Sequence, residues 1–187
     1  DRLVYVYSSF GGSYRDIHPR ARAAAETALR LDPKLSDAHL AMARTLGELE
    51  WDWAAADAEM KRTLELDPNN VLALWVASGY ALVGDRLDEA LKFIEIAVAR
   101  DAVAYGVYVG TGDVQIRRGR LAEAEAAYRK ATELNPTPAG NHLALGFALL
   151  ARGEPGAALA AVEQESDDGY RQGGLAIAFG ALGRQGD

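Results

Sequence analysis

One short text occurs three times in this chain: LRLDPKL at 29–35, LELDPNN at 64–70 and TELNPTP at 132–138. The prolines, Pro33, Pro68 and Pro136, are separated by 35 and then 68 residues, the second interval being twice 34. A second series keeps the same period: Ala21, Ala56, Ala90, Ala124 and Ala158 follow one another at 35, 34, 34 and 34 residues. A small side chain at a fixed place in every period is what two closely crossing helices require. The proline marks where a helix cannot continue. A unit this short cannot bury its own apolar stripe, so the copies must stack on one another.

Composition narrows the class further. The 187 residues are 49% hydrophobic and 25% charged, enough apolar material for a sizeable core, and the abundance of alanine favours helix over sheet. The net charge of −7 repels a phosphate backbone on average, which argues against direct nucleic-acid binding. With no cysteine, disulfides, thiolate nucleophiles and cysteine-ligated zinc are excluded. The C-terminal apolar run LAIAFGALG, 175–183, is too short for the roughly 20 residues of a membrane-spanning helix, so no membrane insertion is expected. The opening DRLVYVYSSF lacks an initiator methionine and is apolar from Leu3, and the expectation is a piece of a longer, cytoplasmic protein.

A period near 34 residues with these small and large positions resembles the tetratricopeptide repeat (TPR) family. The best unit is 105–138, with Tyr108, Gly112, Gly119, Leu121, Ala124, Tyr128, Ala131 and Pro136 matching the family's sequence of large, small, turn and aromatic positions. Residues 139–168 repeat it with Leu145, Gly146, Leu149, Gly153 and Ala158. In 71–104, Asp85 stands for the turn glycine and Ala102 for the proline. The unit 36–70 carries one extra residue near Glu50 and Trp51. The resemblance implies an all-α fold, with TPR-type helix-turn-helix repeats stacked into a right-handed superhelical solenoid of about five and a half units, the ends being 1–35 and a partial 169–187.

At the ends the pattern loosens. In the first unit the sequence predicts a helix to about Gly11 and Gly12, a long turn SYRDIHP with His18 solvated, and a second helix from about Pro19. In the fifth, Glu165 and Tyr170 replace the small residue and the proline, so its second helix is expected to end early near ESDDG. The last helix should expose an apolar face of Leu175, Ala178, Phe179 and Leu182.

TPR proteins usually bind ligands on the first helix of each unit, lining the concave side. Carried over by register, the candidate groove consists of Leu40, Arg44, Leu72, Trp75, Gly79, Val109, Asp113, Ile116, Arg117, Leu143, Phe147 and Leu150. Leu82 falls on the same register. For a surface this set is apolar, and Gly79, Gly106, Gly110 and Gly140 are expected to let another backbone approach. A glycine inside a helix costs about 1 kcal/mol relative to alanine, so four on one face ask for a reason. Either the face packs on itself, or it receives a peptide, a partner helix or a second copy of the chain. The lysine and asparagine clamp with which some TPR domains hold a C-terminal carboxylate is not matched here.

Other constellations carry less. His39 and His142 occupy one register position three repeats apart and cannot share a metal; packing explains them. GTGDVQIRRG, 110–119, follows no strand and has Gln115 where a nucleotide loop needs its third glycine. The acid pairs Asp88 with Glu89 and Asp167 with Asp168 fall at helix starts, where they suit the dipole rather than catalysis. Arg117, Arg118 and Arg120 read as a solvated turn countered by Glu123 and Glu125, with Trp53 anchoring a helix and Trp51 exposed. No catalytic residue, metal site or cofactor is expected. The long first turn, the EWDWAAA insertion and the closing GYRQGGLAIAFGALGR resemble the C-terminal TPR regions of bacterial proteins with an N-terminal class III adenylate cyclase or winged-helix DNA-binding domain. That resemblance implies a non-catalytic interaction module regulating an attached signalling domain, or an oligomerisation device of a transcription regulator.

Overall fold

The structure, a computed structural model, describes residues 14–137 and 139–183, and these form ten α-helices and no strand. Helix α1 spans Tyr14–Leu31. Four hairpins follow: α2 (Ser36–Arg44) with α3 (Trp53–Leu66), α4 (Val71–Val83) with α5 (Leu87–Arg100), α6 (Tyr105–Arg117) with α7 (Leu121–Leu134), and α8 (Asn141–Ala151) with α9 (Pro155–Val162). Helix α10 (Asp168–Ala181) closes the described chain. Each hairpin packs its two helices together, and first helices also meet across neighbours, α4 on α6 and α8 on α10. The fold is a TPR-type solenoid.

The five periodic alanines lie at the helix crossings: Ala21 is 8% exposed, and Ala56, Ala90, Ala124 and Ala158 are fully buried. The facing small position reads Ser78, Gly112 and Gly146. A Cβ on Gly112 would sit 2.4 Å from the Tyr128 ring, and one on Gly146 would sit 2.6 Å from Val162. Ser78 fits because its hydroxyl donates to the Ala90 carbonyl at 2.9 Å, joining the two helices of its hairpin.

The turn inside each hairpin is one motif repeated. Asp85, Gly119 and Gly153 adopt left-handed φ of 56°, 72° and 78°. The next N–H then reaches back five residues, Arg86 to Ala81 at 2.8 Å, Arg120 to Gln115 at 2.9 Å and Glu154 to Leu149 at 2.9 Å, closing a Schellman cap. In the α2–α3 hairpin the left-handed residue is Trp51, φ 61°. There the returning N–H spans six residues, Asp52 to Leu46 at 2.9 Å, beside a π-helical turn at Thr45–Leu49. The extra residue is thus absorbed within the end of the first helix as a π-turn, the usual form of a one-residue insertion in a helix. Trp51 is exposed, while Trp53 stacks edge-on to Tyr80 with centroids 5.6 Å apart.

Between hairpins the shared element of the echo is its acid or amide. Asp32, Asp67, Asp101 and Asn135 each accept, through a side-chain oxygen, the N–H two residues on, at 2.9, 3.1, 3.0 and 3.3 Å. Ala102 therefore replaces proline without loss of the turn, and the Tyr108 hydroxyl donates to its carbonyl at 3.0 Å.

The ends depart from expectation. SYRDIHP is helical from Tyr14 onward, with Pro19 inside α1 rather than at its start. His18 is not a free turn residue: its Nε2 lies 2.9 Å from Glu50 Oε1, and Arg22 forks onto the same carboxylate at 2.6 and 2.7 Å. Hydrogen bonding from Arg22, helped by His18 and opposed by burial, holds Glu50 below the usual carboxylate range. The helix expected up to Gly12 lies outside the described residues. At the other end α9 stops at Val162, and Glu165, 1% exposed, turns inward. Its Oε2 accepts the Gly140 and Leu143 N–H groups at 3.1 and 3.2 Å, capping α8 from a distance because Gly140, at φ 90°, supplies no side-chain cap of its own. Of the expected apolar face on α10, Ala178 is fully buried and Leu175 and Phe179 are half-buried. Exposure falls on Tyr170, Ile177 and Leu182.

Candidate partner-binding groove

An open-sided cavity of about 610 Å³ lies along the first helices α2, α4 and α6. Its walls are Leu72, Trp75, Val76 and Val83 of α4 with Tyr105 of α6; Trp53 and Tyr80 line it from behind, and Arg44 and Glu48 lie on the α2 side. Apolar walls dominate because α4, VLALWVASGYALV, has no charged residue. Leu72 and Val83 remain 37% and 58% exposed at its edges. The one charged pair lining it is self-satisfied: Arg44 donates through Nε and Nη2 to both Glu48 oxygens, at 2.9 and 3.1 Å.

Trp75 shapes this space, and the glycines explain its pose. A Cβ at Gly106 would lie 2.6 Å from the Trp75 ring, and one at Gly110 would lie 2.8 Å from the same indole and 2.6 Å from Ile94 Cδ1. These two glycines admit a side chain of the same molecule instead of a partner's backbone. Tyr105 meets Trp75 edge-on at 6.4 Å. Gly79 differs, since nothing lies within 4 Å of its would-be Cβ and it faces open cavity. Gly140 is a turn residue with left-handed φ.

The structure divides the twelve sequence-derived residues. Arg44, Leu72, Trp75 and Gly79 come together around the cavity. Leu40 does not reach it: at 2% exposure it belongs to the core shared with Ala73, Ala77 and Tyr80, and Leu82, 9% exposed, lies in the neighbouring core. Val109, Ile116 and Leu150 are half-buried against the core of the α6–α9 region. Leu143 reaches across to Gly174, whose Cβ would stand 2.7 Å from Leu143 Cδ1. Phe147 is exposed but lies outside the cavity.

Asp113 turns toward the core, where the Tyr128 hydroxyl donates to its Oδ1 at 2.7 Å. Burial raises the Asp113 carboxyl above its ordinary range, and the Tyr128 bond only partly opposes this. Burial first and the Asp113 charge second also push the Tyr128 hydroxyl up. Arg117 is exposed and pairs with Asp85 at 3.2 Å, and Arg118 lies 3.5 Å from Asp88. Both pairs reach the preceding hairpin, not Glu123 or Glu125; Glu125 instead holds Arg129 and Arg152 at 2.7 and 3.0 Å. The register misses Trp53, Val76, Tyr80 and Tyr105, although the uncharged text of α4 signals Val76 and Tyr80. Among the described residues no cluster of three histidines and carboxylates could hold a metal, and no helix is long and apolar enough to cross a membrane.

Residues 106–138 match the tetratricopeptide repeat family model. No curated protein matches the chain in sequence. Among solved structures it is similar to TTC0263, a thermophilic TPR protein of Thermus thermophilus, at 23% identity and a TM-score of 0.72 over 80% of this chain and 84% of that one. PilF of Pseudomonas aeruginosa superposes at a TM-score of 0.73 with 21% identity, covering 97% and 84%. YrrB, described as a TPR protein with an unusual peptide-binding site, gives 0.60 with 18% identity, covering 87% and 86%. At these identities the likeness is one of fold.

Proposed function

We propose that the chain is a non-catalytic interaction module whose cavity between α2, α4 and α6 takes an apolar segment of a partner polypeptide. The observation that carries this is a preformed, largely apolar space of about 610 Å³ bordered by the exposed Leu72 and Val83. Rigid aromatic anchors at the centre of such a space are the usual source of binding energy. Gly79, with no packing reason for lacking a Cβ, leaves room for close approach of the partner's backbone. The peptide-binding description of YrrB, a protein of the same fold, is in keeping with this reading.

Peptides selected from a displayed random library against the protein, resynthesised and measured by calorimetry, test it. Leu72→Asp is expected to weaken binding about tenfold or more, on the scale of a desolvated anchor. Unchanged affinity removes the cavity from the interaction.

A second reading, self-association, is favoured by Tyr170, Ile177 and Leu182, exposed together on α10 and the turn that ends it. Sedimentation at high concentration decides it: a dimer that Ile177→Asp dissolves supports it, and a strict monomer excludes it. Attachment to a class III adenylate cyclase or winged-helix domain rests on the resemblance of 13–33, 50–56 and 169–184 alone; the sequence of the full-length chain tests it.

A further inference from the structure

On α4 the cavity is lined, besides Trp75 and Tyr80, by Leu72, Val76, Gly79 and Val83, spaced by four, three and four residues as one stripe of a single helix. At a rise of about 1.5 Å per residue this stripe runs about 16 Å, three turns. Tyr105 of α6 stands near one end, in register with Val71, and Glu48 near the other, in register with Val83. The space therefore follows the length of α4 instead of crossing the row of first helices at one level. The backbones of α4 and α6 approach closely, whereas those of α2 and α4 scarcely do. Tyr80 spans that wider gap from beneath, its hydroxyl donating to the Ala43 carbonyl at 3.0 Å and its ring meeting Trp53 edge-on.

The walls are poor in groups able to pair with a partner's backbone. No asparagine, glutamine, serine or threonine lines the cavity; the Tyr80 hydroxyl is engaged with Ala43, and Arg44 and Glu48 with each other. An extended strand laid here would bury N–H and C=O groups that find no acceptor or donor, whereas a helix arrives with its backbone already paired. Gly79 leaves a hollow between Val76 and Val83, with nothing within 4 Å of its would-be Cβ, and such a hollow receives one large side chain of a helix packed alongside.

Charge defines the rim. Exposed Asp37 takes the neutral Asn70 amide at 3.2 Å beside the start of α4, and exposed Asp85 follows its end. The nearby cations are each set against an acid, Arg44 on Glu48 and Arg117 on Asp85. With Asp37 left over, the balance at the rim is negative, as is the net charge of −7 of the chain.

Taking the cavity as the partner's seat, as above, we propose that it receives an amphipathic helix of about three turns laid lengthwise over α4. One large apolar residue of that helix sits over Gly79, and lysine or arginine flanks its apolar face.

The test uses a library-selected peptide that Leu72→Asp weakens, resynthesised with carbon-13 in its backbone. When bound, its Cα shifts should be helical over about ten consecutive residues. A proline placed at a non-contacting position in the middle of the peptide should weaken binding about tenfold or more. Gly79→Leu, which fills the hollow on an exposed helix face, should do the same while Tm holds. Affinity should fall several-fold as sodium chloride rises from about 0.05 to about 0.5 M. Extended Cα shifts, a tolerated central proline or a Gly79→Leu variant that binds as before each overturn the helix and leave the cavity as the partner's seat. Affinity independent of salt overturns the basic flanks. A library that yields no peptide sensitive to Leu72→Asp overturns both the helix and its seat.

Discussion

The α2–α6 half and the α6–α10 half of the molecule use one register to opposite ends. In the first half Trp75 lies against two glycines of the next hairpin and leaves a cavity in front of it. In the second, Val109, which takes the register of Trp75, packs half-buried against the core, as do Ile116 and Leu150 at the register of the buried Leu82, and a second cavity opens beside His142. Repeat position alone therefore does not make a binding surface. What decides is whether the next unit offers space for the side chain to lean into.

Trp75→Ala should produce the largest effect on this contrast. Removing a half-buried indole that fills the space left by Gly106 and Gly110 is expected to cost about 3 kcal/mol in urea unfolding. A loss below about 1 kcal/mol would mean that the indole is not what organises the first half. Next comes Glu165→Ala in the second half, which strips two amide donors of their buried acceptor and should cost about 2 kcal/mol. Hydrogen exchange should then rise at Gly140 and Leu143 and not in α4.

Two glycines then separate close packing from free space. Gly106→Ala brings a Cβ to 2.6 Å from Trp75 and should destabilise by about 1–2 kcal/mol. Gly79→Ala meets nothing and should stabilise by about 0.5–1 kcal/mol through helix propensity alone. Equal signs for the two would contradict the packing described.

The smallest effect is a pH dependence. Because burial raises the folded pKa of Asp113, its favourable contribution is fully present below the unfolded value, about 4, and is lost as pH rises through the folded one. Asp113→Asn keeps an oxygen for the Tyr128 hydroxyl and removes that loss. The variant should match or exceed the parent at neutral pH, with the difference shrinking on acidification toward pH about 4.

Much of this architecture is legible in the residues. The periodic alanines, the turn residues Asp85, Gly119 and Gly153, and the shortened helix before Glu165 each follow from size or backbone preference, which sequence displays directly. The proline of the LDP echo misleads, because the turn is held by the side chain before it, as Asp101 demonstrates without any proline. The register places the helices that carry Leu40 and Leu82, yet which side of such a helix is covered depends on its neighbours. Gly106 and Gly110 illustrate the same limit: a missing Cβ announces close approach but not by whom. Glu165 reads as a break in the pattern, and only the fold reveals that it caps a helix 22 residues upstream at Leu143.

The central claim is that the cavity around Trp75, and not the whole row of first helices, receives the partner. Methyl NMR of the protein titrated with a library-selected peptide tests it most directly. Shifts concentrated on Leu72, Val76 and Val83, with Val109, Ile116 and Leu150 unmoved, are the predicted result. Shifts spread evenly along the row, or centred on Leu143 and Leu150, would contradict it.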